Sequence, residues 1–179
     1  MKNQERLRAG QIALRPIVRS DGPWLSRLYS SAANMAMIPG GTRGPEESDR
    51  QLEIFLAHWS QHGIGMWIIE ADDTPQPVGY AGLRYTELED TTLLEFGLII
   101  DKPFWRKRIG TTVVRRILDY VDSALSVEIV ALIHPSNIPS QRLLAQFGFA
   151  YSRQVERRES VSQLWIRRSR QRQAPHRSS

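Results

Sequence analysis

A mixed α/β sheet flanked by helices is the architecture this sequence predicts, and three observations carry the prediction. Met66-Trp67-Ile68-Ile69 and Val78-Gly79-Tyr80-Ala81-Gly82-Leu83 bracket the turn Asp72-Asp73-Thr74-Pro75, the pattern of a strand hairpin. Thr91 to Ile100, rich in Leu and Ile and interrupted by Glu95 and Gly97, is a central-strand run that leads through a basic loop into a helix. That helix repeats Val113, Val114, Ile117, Leu118 and Val121 every three or four residues, and the apolar run Val127 to Ile133 follows it. A right-handed crossover makes the two flanking strands parallel, so the sheet is mixed. Neither a helical bundle nor a doubly wound dinucleotide fold has this order.

The remaining elements follow from local chemistry. Ile12-Ala13-Leu14-Arg15-Pro16 reads as a strand that Pro16 helps end. Asp21-Gly22-Pro23 starts a helix whose stripe is Trp24, Leu25 and Leu28. The Gly-rich turn Pro39 to Gly44 is either an ordinary connection or a loop facing a substrate. Pro45 suits the first turn of the next helix, where Glu46 and Glu47 meet its positive end, and Leu52, Phe55, Leu56 and Trp59 form its buried face. Gly79 and Gly82 lower strand propensity and point to a twist, a bulge or a close neighbour. Asn137 caps a helix that buries Leu143, Leu144 and Phe147, and Gly148 closes it with positive φ. Phe149 to Tyr151 and Val161 to Ile166 form two closing strands.

Charge is unevenly spread. Of 24 Lys and Arg, five (Arg167, Arg168, Arg170, Arg172 and Arg177) fall in the last thirteen residues, which leaves 19 against 19 Asp and Glu in the rest. A basic tail on a neutral body reads as a solvated extension, or as a contact for an anionic partner such as ribosomal RNA or an acidic protein surface. The absence of cysteine excludes disulfides, thiolate nucleophiles and Cys-ligated metal sites. No apolar run reaches the roughly 20 residues of a spanning helix, and Met1 to Arg6 does not open a secretory signal. A cytoplasmic location and no membrane partner are therefore expected. His58 and His62 sit four apart without an HExxH pattern, so no metal is expected.

The feature that calls for chemistry is Arg106-Lys107-Arg108-Ile109-Gly110-Thr111, a basic segment between a strand and a helix. Free N–H groups at a helix start can cradle phosphate, with Lys and Arg adding charge-assisted contacts. The other reading is a solvated basic loop. The segment has neither the Lys-Ser/Thr ending of a P-loop nor the paired glycines of a dinucleotide fingerprint.

Several segments in their order resemble the GNAT acetyltransferase superfamily, within it the group that includes the RimJ/RimL ribosomal-protein N-terminal acetyltransferases. Leu14-Arg15-Pro16 with Asp21 resembles the opening strand and turn; Trp67 to Ile69 with Val78 to Leu83 resembles the central hairpin. Glu95 to Ile100 and Phe104 to Thr111 resemble the acetyl-CoA strand and pyrophosphate loop. Asn137 to Leu144, ending Phe147-Gly148-Phe149, resembles the late helix beside the pantetheine arm. The resemblance spans about residues 11 to 168 and implies a strongly twisted mixed sheet. It makes 11–168 the acetyltransferase domain, 1–10 a flexible leading segment and 169–179 a disordered basic tail.

What the resemblance implies about chemistry is direct transfer of acetyl from acetyl-CoA to an amine, without a covalent acyl-enzyme. Leu98, Ile99 and Ile100 would offer backbone amides to the coenzyme arm or acetyl carbonyl. Arg106, Lys107, Arg108, Ile109, Gly110 and Thr111 would hold the diphosphate. Asn137 either pairs with pantetheine amides or only caps its helix, and Ser140 either donates to the departing sulfur or bonds locally. Glu95, polar within an apolar strand at the expected cleft, either accepts the amine proton or pairs with an arginine. Tyr80 and Tyr85 either frame an acceptor pocket or pack on the sheet with a polar edge, His134 either lines the cleft or is structural, and Trp105 either anchors the loop or shapes the acyl site. Two positions depart from the family. Arg108 stands where a glycine is usual, with another small residue common near Arg106, and Leu144 stands where many relatives have the tyrosine acid.

The acceptor implied is a protein N-terminus, with ribosome association through the tail. Small amines (antibiotic, polyamine or amino acid) are the alternative, and a noncatalytic acyl-CoA-binding module is the rival from another class. A monomer or homodimer accommodates each.

Overall fold

Hairpin and crossover signals resolve into one sheet in the computed structural model, which describes residues 6–157 and 160–168. Its strands are β1 (Leu7–Ala9), β2 (Ile12–Pro16), β3 (Met66–Ala71), β4 (Gly79–Leu88), β5 (Thr91–Ile100), β6 (Ile129–Ile133), β7 (Ala150–Arg157) and β8 (Ser160–Arg167). They lie side by side in the order β1-β2-β3-β4-β5-β6-β8-β7. Every neighbouring pair is antiparallel except β5 and β6, the two strands joined by the helical crossover. The helices are α1 (Gly22–Ser30), α2 (Ala32–Met35), α3 (Pro45–His62), α4 (Ile109–Ala124) and α5 (Ile138–Ala145).

Alternation assigns the two faces of the sheet. Tyr80 on β4 lies opposite Ile99 on β5, and its ring meets Tyr29 of α1 and Phe55 of α3. Leu98 and Ile100 point the other way, toward Gly110 at the start of α4. The apolar stripe predicted for α4 is buried throughout, with Val113, Val114, Ile117 and Val121 fully enclosed. Gly79 and Gly82 owe their identity to close neighbours: a Cβ at Gly79 would collide with Ile99 O, and one at Gly82 with Gly65 O.

Some elements differ from expectation. The leading segment is not free up to residue 10, because Leu7–Ala9 pairs with β2 and buries Leu7. Three residues are too few for a periodicity to declare itself. Residues 1–5 and the expected tail, 169–179, lie outside the described residues. Arg167 does not belong with the tail charges. It is buried at the end of β8, donates two bonds to the Asp122 carboxylate at 2.8 and 2.6 Å, and a third to Phe147 O. The strand expected from Val127 begins at Ile129, with Val127 exposed. Among the described residues no helix is long and apolar enough to cross a membrane.

Candidate active site

The site grows from the way β5 leaves β6. A two-residue turn at Glu89 and Asp90, both with positive φ, sets β4 against β5 from Leu88↔Thr91 to Gly79↔Ile100. Asp101 N–H donates to Val78 O at 2.9 Å, and Leu83 N–H donates to Gly65 O at 3.1 Å on the β3 side. Alternation then turns the backbone of odd-numbered β5 residues toward β4 and that of even-numbered residues toward β6. The register joins β5 to β6 only at Glu95↔Val130 among the described residues. Beyond it the two parallel strands separate, so Leu98 presents its N–H and C=O to a gap between them. Ile99 is corrected by the same register: its backbone pairs with Tyr80 and does not face the gap. The carbonyl of Ile100 does face it, but accepts from the Trp105 indole at 2.6 Å.

The mouth of the gap is formed by two helix starts. After a short 3-10 turn at Lys102–Phe104, the loop of Trp105, Arg106, Lys107 and Arg108 enters α4. Arg106 and Arg108 adopt φ of 63° and 61°, so the loop takes the left-handed shape that glycine favours without being glycine. Thr112 N–H makes the first intrahelical bond, to Arg108 O at 3.1 Å. The amides of Ile109, Gly110 and Thr111 precede it and have no acceptor inside the helix. A Cβ on Gly110 would press on Leu143 Cδ2 at 3.2 Å, which is how closely α4 approaches α5 beside β5. The side chain of Ile109 is buried in the core and only its backbone belongs to the loop. Arg108 is exposed, whereas Trp105, 48% exposed, reaches the Ile100 carbonyl at the end of the gap.

At the second start, Asn137 Oδ1 accepts from Ser140 N–H at 3.2 Å, so the capping role is made, and the Asn137 amide NH2 has no partner among the described residues. Ser140, in the first turn of α5, is half-buried. His134, half-buried after β6, accepts Ser136 N–H on Nδ1 at 3.2 Å, and its carbonyl accepts Asn137 N–H. These bonds fold the His134 to Asn137 turn.

On the α1 and α3 face stands Glu95, 6% exposed. Both contacts from Arg84, opposite it in register, fall on Oε2: Nε at 3.1 Å and Nη2 at 2.9 Å. Burial works against the Arg84 charge, but the Glu95 carboxylate and the nearby phenols hold the guanidinium above its ordinary range. Oε1 of Glu95 accepts no bond among the described residues.

Tyr80 and Tyr85 do not frame one pocket. Five residues apart on a strand, they fall on opposite faces. Tyr80 is buried with its hydroxyl 2.9 Å from that of Tyr29, and burial pushes its phenol up. Tyr85 is 45% exposed and its ring packs on His58 and His62. His58 uses both nitrogens within the fold, Nδ1 with Ile64 O at 2.8 Å and Nε2 accepting Tyr85 N–H at 2.9 Å. Among the described residues no cluster of His, Asp and Glu could hold a metal ion.

Residues not anticipated from the sequence complete the setting. Arg84 was legible in principle, because the Glu89-Asp90 turn fixes it opposite Glu95. Asn34 was not: it reaches Asp101 and Lys102 from α2, and nothing in its spacing announces it. A concavity of about 760 Å³ lies elsewhere, between the end of α5 and strands β7 and β8, and none of the expected site residues lines it.

The residues fit a coenzyme with an amide-rich arm and a diphosphate: unpaired strand amide, free helix-start amides, and an exposed basic loop in left-handed form. Comparison with known proteins agrees. A family model described as acetyltransferase (GNAT) domain matches residues 11–150. The uncharacterised protein YkkB of Bacillus subtilis is 25% identical over 118 residues, which is 63% of this chain and 69% of that protein. An acetyltransferase structure from Agrobacterium tumefaciens superposes with a TM-score of 0.78 at 18% identity, covering 90% of this chain and 93% of that one. The ribosomal-protein-S5-alanine acetyltransferase from Vibrio fischeri superposes with a TM-score of 0.74 at 16% identity, covering 93% and 97%. At such identities the structures establish a common fold.

Proposed function

Because the chain belongs to the GNAT acetyltransferase family, an acetyl-CoA-dependent class, we propose that its acceptor is the α-amine of a protein or peptide N-terminus. Acetyl-CoA supplies the activated acetyl thioester. The observation that carries the reading is the Glu95–Arg84 pair beside the opened edge of β5. A carboxylate whose Oε2 is already engaged has one oxygen left for the incoming nitrogen or a water. It suits an amine that needs little help in losing a proton. At pH 7 an α-amine with pKa near 8 is about 10% neutral, and a lysine amine only about 0.04%.

In this reading Leu98 N–H donates to the acetyl carbonyl or to the coenzyme arm, where a fixed donor is worth most as negative charge develops. Ile109, Gly110 and Thr111 offer their amides to the diphosphate, and Arg106, Lys107 and Arg108 surround it with positive charge. Asn137 Nδ2 bonds an amide of the arm, and Ser140 Oγ donates to the departing sulfur. Glu95 Oε1 takes the amine proton directly or through water. Leu144 supplies no acid, which leaves Ser140 or solvent for that step. The likeness to a ribosomal-protein acetyltransferase supports a protein acceptor, and the basic residues after 168 would favour association with the ribosome.

The test is incubation of the full chain with acetyl-CoA, N-terminal peptides and small amines, reading CoA release and product mass together. Acetylated peptide α-amines are expected. Saturable acetyl-CoA binding with acetylation of polyamines or aminoglycosides alone would overturn the acceptor assignment, and no binding of acetyl-CoA would overturn the coenzyme site.

A further inference from the structure

Arg43 differs from three well-paired arginines by what it lacks. Arg15, Arg84 and Arg167 each face a carboxylate. Arg43 is half-buried and its guanidinium lies over the Tyr29 ring, 4.6 Å from the centroid. Its Nη1 donates to Gln51 Oε1 at 3.1 Å, and no acidic group among the described residues pairs with it. Its backbone N–H is fixed on Tyr29 O at 3.1 Å, so the end of the Gly-rich turn is tied down at this point. The amide nitrogen of Gln51, turned away from Arg43 by that bond, is buried and has no hydrogen-bond partner.

These donors belong to the same neighbourhood as Glu95. The Tyr29 hydroxyl meets that of Tyr80, and Tyr80 shares a strand face with Arg84 and Glu95. Burial raises the Tyr29 and Tyr80 phenols, while both Arg43 and Arg84 pull them back, and Glu95 acts on Tyr80 as well. Beside the Glu95 carboxylate, already shared with Arg84, the acceptor side therefore holds a second guanidinium with an adjacent amide donor that nothing among the described residues satisfies. A polar surface with surplus buried donors selects a partner rich in acceptors.

Resting on the acceptor-side reading above, we infer that the acceptor is an amine bearing a carboxylate near its nitrogen, received by Arg43 and Gln51 Nε2 while the nitrogen lies at Glu95. In a peptide the carboxylate is an Asp or Glu side chain at the first or second residue; in a free amino acid it is the α-carboxylate. Both present one chemistry to the guanidinium, and the closing experiment separates them.

Full-length protein is assayed with acetyl-CoA and peptides that start Ser-Glu, Ser-Gln and Ser-Lys but are otherwise identical, alongside free serine and glutamate. The Ser-Glu peptide is expected to exceed Ser-Gln at least tenfold in kcat/KM, chiefly through KM. R43Q is expected to bring that ratio close to one. R43E is expected to favour Ser-Lys over Ser-Glu, a gain that a misfolded variant cannot give. Peptides acetylated without regard to charge, or a preference that survives in R43Q, overturn the inference and leave the N-terminal reading intact. Acetylation of the free amino acids with none of the peptides keeps the inference and overturns the N-terminal reading. Acetylation confined to the Ser-Gln and Ser-Lys peptides overturns the inference and leaves the N-terminal reading intact, and acetylation of none of these amines overturns both.

Discussion

Asn34 and Asp101 are joined by a hydrogen bond of 2.9 Å from Nδ2 to Oδ1, and Asn34 Oδ1 in turn accepts the N–H of Lys102 at 2.9 Å. A buried side chain on α2 thus fixes the start of the loop that enters α4. N34A would leave the Lys102 amide without its acceptor and the Asp101 carboxylate without a donor, at a cost of about 1–3 kcal/mol. Urea denaturation should register that loss, and calorimetry should find acetyl-CoA binding weakened as the loop loosens.

Glu95→Gln keeps the side-chain shape and removes the proton acceptor. We expect kcat/KM for an α-amine to fall about 100-fold at pH 7, with the deficit shrinking as pH rises and the amine deprotonates unaided. Rates unchanged from pH 6 to 9 would show that Glu95 takes no proton.

The two left-handed arginines make separable contributions. R106G and R108G each release a strained backbone, worth about 1 kcal/mol of stability, so both variants should melt higher than the parent. Each also removes a cation next to three free amides, so acetyl-CoA affinity should drop several-fold. Scanning calorimetry and titration calorimetry on the same samples read the two effects.

His58 gives stability a pH dependence of known sign. Burial lowers its pKa from the ordinary 6.5, so the unfolded chain binds the proton more readily than the folded one. The contribution is complete above about pH 6.5 and is lost as pH falls toward the depressed folded value. Urea midpoints should therefore decline from pH 7.5 to 5.5, and H58Q, less stable throughout, should show a flatter decline.

Much of the sheet was legible because its strands carry their own boundaries. Thr91 to Ile100 is bounded by a turn and by Asp101-Lys102-Pro103, and the structure has the same limits. The stripe of α4 and the Asn137 cap were equally local. Leu7–Ala9 and Ala32–Met35 escaped because three or four residues span less than a repeat of either period. The gap beside Leu98 had no local signature, since the divergence of β5 from β6 is a property of sheet twist and pairing. The choice left open for Tyr80 and Tyr85, pocket or packing, is decided by strand parity, which separates two residues five apart. Arg43 was legible only as part of a Gly-rich turn that either connects or faces a substrate, because the partners that define its surroundings come from α1 and α3.

The Arg167–Asp122 pairing also decides where the basic extension can be removed. Shortening the chain before residue 167 would strip the bolt that fastens the last strand to α4 and expose Phe147 O, so any loss of activity would report unfolding. Ending it after Arg168 removes only residues beyond that bolt, and is the cut that can tell whether the extension recruits a partner.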